Sequence, residues 1–321
     1  MTQKPIVAAT RRLVKPAEDR VAARFQFRPG NDEASYTPEL VAKTAEGAVA
    51  LLCTPTEPVN AEAIALLPAS LKVLSTVSVG FEHIDLAAAK ARGIRVTNTP
   101  GVLDDATADI ALLLILGATR CASDGERLMR AGKWIGIRPT QLLGMQITGK
   151  RLGIIGMGRI GSAVATRAKA FGMSVCYHNR KRADPAMEAG ATYVPTLEDL
   201  LAQSDVVSLH APLTPETKGL INAQRIAQMK DGACLINTGR GPLIDDDAVI
   251  TALKARKLSS IGLDVYTGEP KIDPRYYTLD NAMLVPHLGS ATYETRLAMA
   301  MLAVDNMEAV LEGRAPPFPV A

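Results

Sequence analysis

The chain has 321 residues, of which 47% are hydrophobic and 21% charged, and its net charge is +3. This length favours two domains, and the composition is that of an ordinary globular protein. So small a net charge gives no support to a nucleic-acid-binding or membrane-binding protein. The four cysteines are widely separated and form no metal-binding pair, which predicts free thiols and no metal site. MTQKPIVAAT does not resemble a signal peptide, and no apolar run is long enough to span a bilayer, so we expect a cytoplasmic protein.

Short apolar runs alternate with helical periods along the chain. Helices are predicted between them, for example over residues 162–171 and 196–203. Continuous apolar runs are typical of parallel strands covered on both faces, and the alternation predicts an α/β fold with parallel sheets. The first four predicted strands are assigned to one domain and the last six to another. The ten runs are PIVAAT, AVALLC, LKVLSTV, IRVTNT, RLGIIG, MSVCYH, VVSLH, ACLINT, SIGLDV and AMLVPH.

Two longer helices set the predicted domain boundaries. An apolar helix begins near Asp104 and is expected to link the domains, and a last helix over residues 291–312 is expected to return to the first domain. The sequence therefore predicts one domain of residues 1–99 and 289–321. It predicts a second domain of residues 100–288.

A glycine-rich segment, RLGIIGMGRIG, carries Gly156, Gly158 and Gly161 in the spacing GxGxxG. It follows a predicted strand and opens a predicted helix, which is the setting of a dinucleotide-binding loop. The first glycine makes the turn, the second lets the backbone approach a pyrophosphate, and the third lets the helix pack on the strand. Arg159 and Ile160 at the start of the helix belong to the same predicted site, because the N–H groups of a helix N-terminus bind phosphate.

The segment HNRKR, residues 178–182, stands where such a fold usually has an acid that binds the ribose 2′-hydroxyl. It offers Asn179 and three bases, Arg180, Lys181 and Arg182. Because bases attract a phosphate, we expect NADP(H) to be preferred over NAD(H), by roughly 10- to 100-fold. The alternative is a solvated basic turn that leaves NAD(H) as the cofactor.

Three titratable residues each follow a predicted strand. Arg240 lies in INTGRG, Glu269 in GLDVYTGEP and His287 in VPHLGSAT. Ligands of open α/β sheets bind beyond the carboxyl ends of the strands, so these side chains could converge on one site. Histidine is the usual proton donor at neutral pH. Taken alone, a histidine is more often structural than catalytic, and Glu269 before a proline is an ordinary loop residue. Arg240 is harder to assign to structure, because the glycines on either side of it indicate a close approach of the backbone.

Six segments in this order resemble the D-isomer-specific 2-hydroxyacid dehydrogenase family, and within it most closely the glyoxylate/hydroxypyruvate reductases. They cover nearly the whole chain: SVGFEHIDLAAAKARGIRVTNTPG, LLGMQITGKRLGIIGMGRIG, HAPLTPETKGLIN, INTGRGPLIDDDAV, GLDVYTGEP and VPHLGSAT. The resemblance implies two Rossmann-like domains with parallel sheets and an active site in the cleft between them. Residues 1–99 and 289–321 would form the substrate domain, and residues 100–288 the dinucleotide-binding domain. It also implies a homodimer, with Trp134 in the segment associated with the dimer contact; a packed aromatic is the alternative for Trp134.

The resemblance implies a role for each matching residue. Arg240 would bind the carboxylate and carbonyl oxygen of a small 2-keto acid, His287 would exchange the proton, and Glu269 would orient His287. The backbone amides of Val79 and Gly80 would hold the carboxylate from the other domain. Asp264 would face the nicotinamide carboxamide. Four further residues would line the cofactor cleft: Thr107, Pro212, Thr217 and Thr238.

Several alternatives stay open on the sequence. Bulkier 2-keto acids, including 2-ketogluconate, are alternative substrates, because small apolar differences between pockets discriminate weakly. A short form of phosphoglycerate dehydrogenase is another alternative, as is oxidation of phosphonate or formate within the same family. A dinucleotide-sensing binding protein would keep the glycine loop without turnover. The presence of Arg240, Glu269 and His287 together favours an enzyme.

Overall fold

The computed structural model of the protein describes residues 4–320. The chain forms two compact units. The first contains the chain up to Leu103 and the segment from Ala291 onward, and the second runs from Asp104 to Ser290. These divisions lie four and two residues later than the predicted boundaries, because they fall where helices begin, at Asp104 and just before the helix N-cap Thr292.

The first unit is built on a parallel sheet of five strands in the order β2-β1-β3-β4-β5. The strands are β1 (Ile6–Ala9), β2 (Gln26–Arg28), β3 (Ala48–Cys53), β4 (Val73–Thr76) and β5 (Arg95–Thr97). The helices are α1 (Lys15–Arg24), α2 (Pro38–Thr44), α3 (Ala61–Leu66), α4 (Leu86–Ala91) and the C-terminal helix, Tyr293–Leu311. That last helix packs on this sheet: the hydroxyl of Ser75 donates to the carbonyl of Ala303 at 2.9 Å.

The second unit is built on a parallel sheet of seven strands in the order β12-β11-β10-β9-β6-β7-β8. The strands are β6 (Arg151–Ile155), β7 (Ser174–His178), β8 (Thr192–Tyr193), β9 (Val206–Leu209), β10 (Ala233–Asn237), β11 (Leu258–Leu263) and β12 (Ala282–Leu284). The helices are α5 (Asp104–Thr119), α6 (Ala122–Arg130), α7 (Arg159–Ala170), α8 (Leu197–Gln203), α9 (Ala223–Gln228) and α10 (Asp246–Lys254).

Helices cover both faces of this second sheet. One buried cluster packs α8, α9 and α10 on the sheet, and a second cluster packs α5 and α7. The strand order reverses direction between β6 and β9, and ligands of open α/β sheets bind at such a switch point. The prediction of two α/β units with parallel sheets is confirmed.

Two strands were missed by the prediction. Gln26–Arg28 and Thr192–Tyr193 each form the edge of a sheet, with three and two residues. Neither is fully buried, so neither has the continuous apolar run by which most of the other ten were found.

Candidate active site

The glycine loop connects β6 to α7. Gly156 has a φ of 101°, and a methyl group there would lie 2.6 Å from the carbonyl carbon of His210. A methyl group on Gly161 would lie 2.3 Å from the carbonyl oxygen of Gly156. Around Gly158, by contrast, no described atom lies within 4 Å of such a methyl group. The fold itself requires the first and third glycines, and the middle one faces open space at the N-terminus of α7, where Arg159 and Ile160 follow. This fits a dinucleotide pyrophosphate.

Asn179 follows β7 and holds the glycine loop in place. Its side-chain oxygen accepts from the N–H of Met157 at 2.7 Å, and its side-chain nitrogen donates to the carbonyl of the same residue at 3.2 Å. Asn179 was predicted to contact the cofactor. In the structure both ends of its amide are bonded to the loop backbone.

The three bases of the HNRKR segment differ in their surroundings. Arg180 and Lys181 are exposed and, within the part of the chain that the structure describes, neither makes a hydrogen bond or salt bridge. Arg182 instead pairs with Glu188, with 2.7 Å between Nε and Oε1. Arg182 thus differs from the other two bases, because a carboxylate six residues along the chain already binds it. That these bases attract a phosphate stays a prediction.

Arg240, Glu269 and His287 follow β10, β11 and β12, which are neighbours in the sheet. The Nδ1 atom of His287 lies 2.7 Å from Oε2 of Glu269. The other carboxylate oxygen of Glu269 accepts from the N–H of Tyr266 at 2.6 Å. Since Nδ1 is engaged by the carboxylate, Nε2 is the ring nitrogen left to face a ligand.

The charge of Glu269 is stabilised by its neighbours. Burial by itself would raise the pKa of this carboxyl group, but the hydrogen bonds from His287 and Tyr266 and the positive charge of Arg240 outweigh burial and lower it. Glu269 is therefore a carboxylate at neutral pH. The His287 side chain is 44% exposed, so its ring is accessible from solvent.

The loop that carries His287 is held by Asp264 and Thr107. The buried carboxylate of Asp264 accepts from the N–H of Leu288 and, at 2.9 Å, from the N–H of Gly289. Burial raises the pKa of Asp264, although both amides oppose this. The Thr107 hydroxyl donates to the Gly289 carbonyl at 3.1 Å. These contacts hold His287 at a φ of 55°, a conformation unfavourable for a residue other than glycine.

The turn that carries Arg240 is held by Asn237, a residue that the sequence analysis missed. Its side chain donates to the Arg240 carbonyl at 2.9 Å and accepts from the Gly239 N–H at 3.0 Å. A methyl group on Gly241 would lie 1.9 Å from the carbonyl carbon of Tyr266, so this turn packs directly on the loop of Glu269. An asparagine at the end of a predicted strand, two residues before a glycine, is the sequence signal that could have identified it.

His210 was also missed, and it links two strand ends. Its Nε2 lies 2.8 Å from the Ser208 hydroxyl and its Nδ1 lies 3.0 Å from the Thr238 hydroxyl. Burial lowers the pKa of His210 to about 4, so the ring is neutral at physiological pH. Thr217, a predicted cofactor residue in the segment after β9, donates to the carbonyl of Pro212 at 2.7 Å.

Val79 and Gly80 lie in the first unit, after β4. Their carbonyls accept from Asn98 at 2.7 Å and from Ser78 at 2.6 Å. Their N–H groups donate to no other residue between positions 4 and 320. These two amides are thus free to bind a ligand, and their role toward a substrate carboxylate stays a prediction.

No single helix among the described residues is long and apolar enough to cross a membrane, and only α5 and α6 together, bent by 74°, have the length and composition. Between residues 4 and 320 there is also no cluster of three or more His, Cys, Asp or Glu side chains that could hold a metal ion.

A nucleotide-binding loop followed by acid, base and arginine side chains at strand ends defines a dinucleotide-dependent oxidoreductase. Residues 112–289 match the protein family described as "D-isomer specific 2-hydroxyacid dehydrogenase, NAD binding domain". The chain is 40% identical to a glyoxylate reductase of Korarchaeum cryptofilum, covering 98% of this chain and 95% of the relative. It is 41% identical to a glycerate dehydrogenase of Hyphomicrobium methylovorum, covering 98% of each.

A solved structure gives the same result. The NADPH-dependent glyoxylate/hydroxypyruvate reductase of Sinorhizobium meliloti, in complex with NADP and malonate, superposes with a TM-score of 0.87 at 32% identity, covering 99% of this chain and 97% of that one. The chain belongs to the D-isomer-specific 2-hydroxyacid dehydrogenase family. It is an oxidoreductase, as the sequence predicted.

Proposed function

We propose that the protein reduces glyoxylate and hydroxypyruvate to glycolate and D-glycerate, with NADPH as the preferred cofactor. The observation that carries this proposal is the His287–Glu269 pair, 2.7 Å apart, beside the charge of Arg240 at the ends of neighbouring strands. Two relatives of the chain, a glyoxylate reductase and a glycerate dehydrogenase, support this substrate class.

The side chains divide the work on the substrate. A bound nicotinamide dinucleotide supplies the hydride. The planar guanidinium of Arg240 binds the substrate carboxylate and the carbonyl oxygen. His287 gives its Nε2 proton to that oxygen as negative charge develops there, and Glu269 fixes the ring through Nδ1. The free amides of Val79 and Gly80 bind the carboxylate in the same proposal.

Different residues bind the cofactor. The glycine loop and the first residues of α7 would hold the pyrophosphate, and Arg180 and Lys181 would hold a 2′-phosphate. Asp264 and four residues near the strand ends would line the nicotinamide side: Thr107, Pro212, Thr217 and Thr238. The absence of an acid after β7 supports NADPH, because a carboxylate there would repel the phosphate.

A cytoplasmic homodimer is part of the same proposal. Six of the twelve large hydrophobic side chains that are exposed in the described part of the chain lie within residues 129–143. Trp134 is 51% exposed, Ile135 77% and Ile137 91%. A cluster of this kind marks an interaction surface, and a second copy of the chain would cover it.

The test follows absorbance loss of NADPH and, separately, of NADH with hydroxypyruvate, glyoxylate and pyruvate. We expect the highest kcat/KM with NADPH and one of the first two acids. The variant Arg180→Ala/Lys181→Ala should lose most of the NADPH preference and keep its NADH activity. Faster turnover with NADH would refute the cofactor preference while leaving the enzyme class intact. No oxidation of either cofactor with the three acids would refute the substrate proposal.

A further inference from the structure

The loop that carries Arg180 and Lys181 is anchored at both ends. On one side Asn179 is bonded to the backbone of Met157 by two hydrogen bonds. On the other side Arg182 is bonded to Glu188 by Nε at 2.7 Å and by Nη2 at 3.2 Å. The two exposed bases lie between these anchors.

The pair of Arg182 and Glu188 rests on a buried tyrosine. Tyr177, on β7, is fully buried, and its hydroxyl donates to Oε1 of Glu188 at 2.6 Å. The same hydroxyl accepts from the N–H of Ala183 at 3.1 Å, so the turn is tied to the sheet at a third point. Glu188 is only 9% exposed. A carboxylate that is nearly buried needs donors to offset its lost hydration, and here Arg182 and Tyr177 supply them.

We propose that Glu188, acting through Arg182 and Tyr177, is a positioning residue that sets the preference for a 2′-phosphorylated dinucleotide. It keeps Arg182 from binding the phosphate and fixes the turn so that Arg180 and Lys181 are presented to it together. This rests on the proposed function, in which these two bases bind the 2′-phosphate. A turn that is ordered before the ligand arrives does not lose that conformational freedom on binding, which strengthens binding without a direct contact.

The two ways in which Arg182 could act make opposite predictions. If Arg182 acts only through the anchor, Arg182→Met and Glu188→Gln weaken phosphate recognition alike. If Arg182 binds the phosphate itself, Arg182→Met weakens recognition, but Glu188→Gln releases the guanidinium and leaves recognition unchanged or stronger.

The experiment measures binding of 2′,5′-ADP and of 5′-AMP by isothermal titration calorimetry, with no turnover required. We expect Arg182→Met, Glu188→Gln and the double variant each to raise the dissociation constant of 2′,5′-ADP by about 5- to 10-fold. Binding of 5′-AMP stays within about twofold of wild type, which also shows that the variants are folded. The double variant should lose no more than either single variant, because the two residues form one unit.

A control variant and a further test variant complete the design. Asp280→Asn removes the carboxylate of another ion pair in the same unit, that with Arg256, and should change neither constant. Tyr177→Phe removes one donor to Glu188 and should give a smaller loss for 2′,5′-ADP alone.

The outcomes separate the two proposals. If the wild type binds 5′-AMP as tightly as 2′,5′-ADP, both the NADPH preference and this inference are overturned. If the wild type prefers 2′,5′-ADP but Glu188→Gln retains that preference, the inference alone is overturned. Equal weakening of both ligands would show a merely structural role for Glu188 and would also overturn it.

Discussion

His287 presents one ring nitrogen to solvent because Glu269 engages the other at 2.7 Å. The role proposed for it is proton transfer, a step that typically contributes about 10²- to 10⁴-fold to the rate. We therefore expect His287→Gln to lower kcat with hydroxypyruvate by about that factor. Cofactor affinity should stay near the wild-type value, because the glycine loop is unchanged. Stopped-flow turnover and titration of NADPH fluorescence measure the two quantities.

Glu269→Gln is the matched variant for this prediction. It keeps the size of the side chain and the acceptor for the Tyr266 N–H but removes the negative charge beside His287. We expect a smaller fall in kcat than for His287→Gln, again with cofactor binding retained. If His287→Gln turned over hydroxypyruvate at the wild-type rate, another group would have to supply the proton.

His210 leads to a prediction about stability and pH. Its pKa in the folded protein is about 4, below the ordinary 6.5, because of burial. The unfolded chain therefore takes up this proton first as the pH falls. The stability that the neutral ring contributes is fully present above pH 6.5 and is lost as the pH falls toward 4.

The variant His210→Asn tests this sign. An asparagine can keep the hydrogen bond to Thr238 and has no titrating group. Between pH 7 and pH 4.5 the wild type should lose roughly 2 kcal/mol more of its unfolding free energy than the variant does. Urea unfolding at the two pH values measures the difference. Equal losses in both proteins would show that His210 is protonated alike in the folded and unfolded states.

At the scale of elements, the turn from β6 to α7 contains one glycine that a ligand would require and another that the packing of the fold requires. Gly158 has a φ of −100°, and a methyl group on it would meet no described atom within 4 Å. Gly158→Ala should therefore cost no more than about 1 kcal/mol of stability. It should still raise the dissociation constant of NADPH by about tenfold or more, because the methyl group occupies the space of the pyrophosphate.

Gly161→Ala gives the contrast for that prediction. Its methyl group would lie 2.3 Å from the Gly156 carbonyl oxygen, so the helix must move away from the loop and stability must fall. Thermal unfolding and calorimetric titration of NADPH on both variants measure the two effects. Wild-type NADPH affinity in Gly158→Ala would place the pyrophosphate elsewhere.

The same elements show how much of the fold and of the candidate site could be predicted from the sequence. Most strands of the two sheet interiors lie in mainly apolar segments, so the local sequence pattern located them. The glycine spacing and the strand-end positions of Arg240, Glu269 and His287 followed from a local pattern and a rule about parallel sheets. The contact between Glu269 and His287, at 2.7 Å, was implied by the family resemblance, and the structure accounts for it because the two strands are adjacent.

Contacts made across irregular turns could not be predicted from the sequence. Arg182 and Glu188 are separated by a 3₁₀ turn, Pro185–Met187, and only its geometry brings the guanidinium to the carboxylate. Asn179 likewise meets Met157, 22 residues earlier, because β6 and β7 are paired. A side chain that looks available to a ligand in the sequence can thus be engaged by the fold.

At the scale of the whole molecule, residues 129–143 expose more apolar surface than an isolated chain in water would favour. We expect the wild type to be a dimer at micromolar concentration. Ile135→Asp/Ile137→Asp places two charges where a second copy would pack, and burying an unpaired charge is strongly unfavourable. Light scattering after size exclusion should therefore give half the wild-type mass for this variant.

The control variant introduces an aspartate at an exposed apolar residue outside residues 129–143. Leu66→Asp alters a side chain that is 52% exposed but lies at the end of α3 in the first unit, far along the chain from residues 129–143. It should leave the dimer mass unchanged. A dimer that persists in Ile135→Asp/Ile137→Asp would place the interface on another surface. A monomeric wild type would mean that these apolar side chains are left open to solvent.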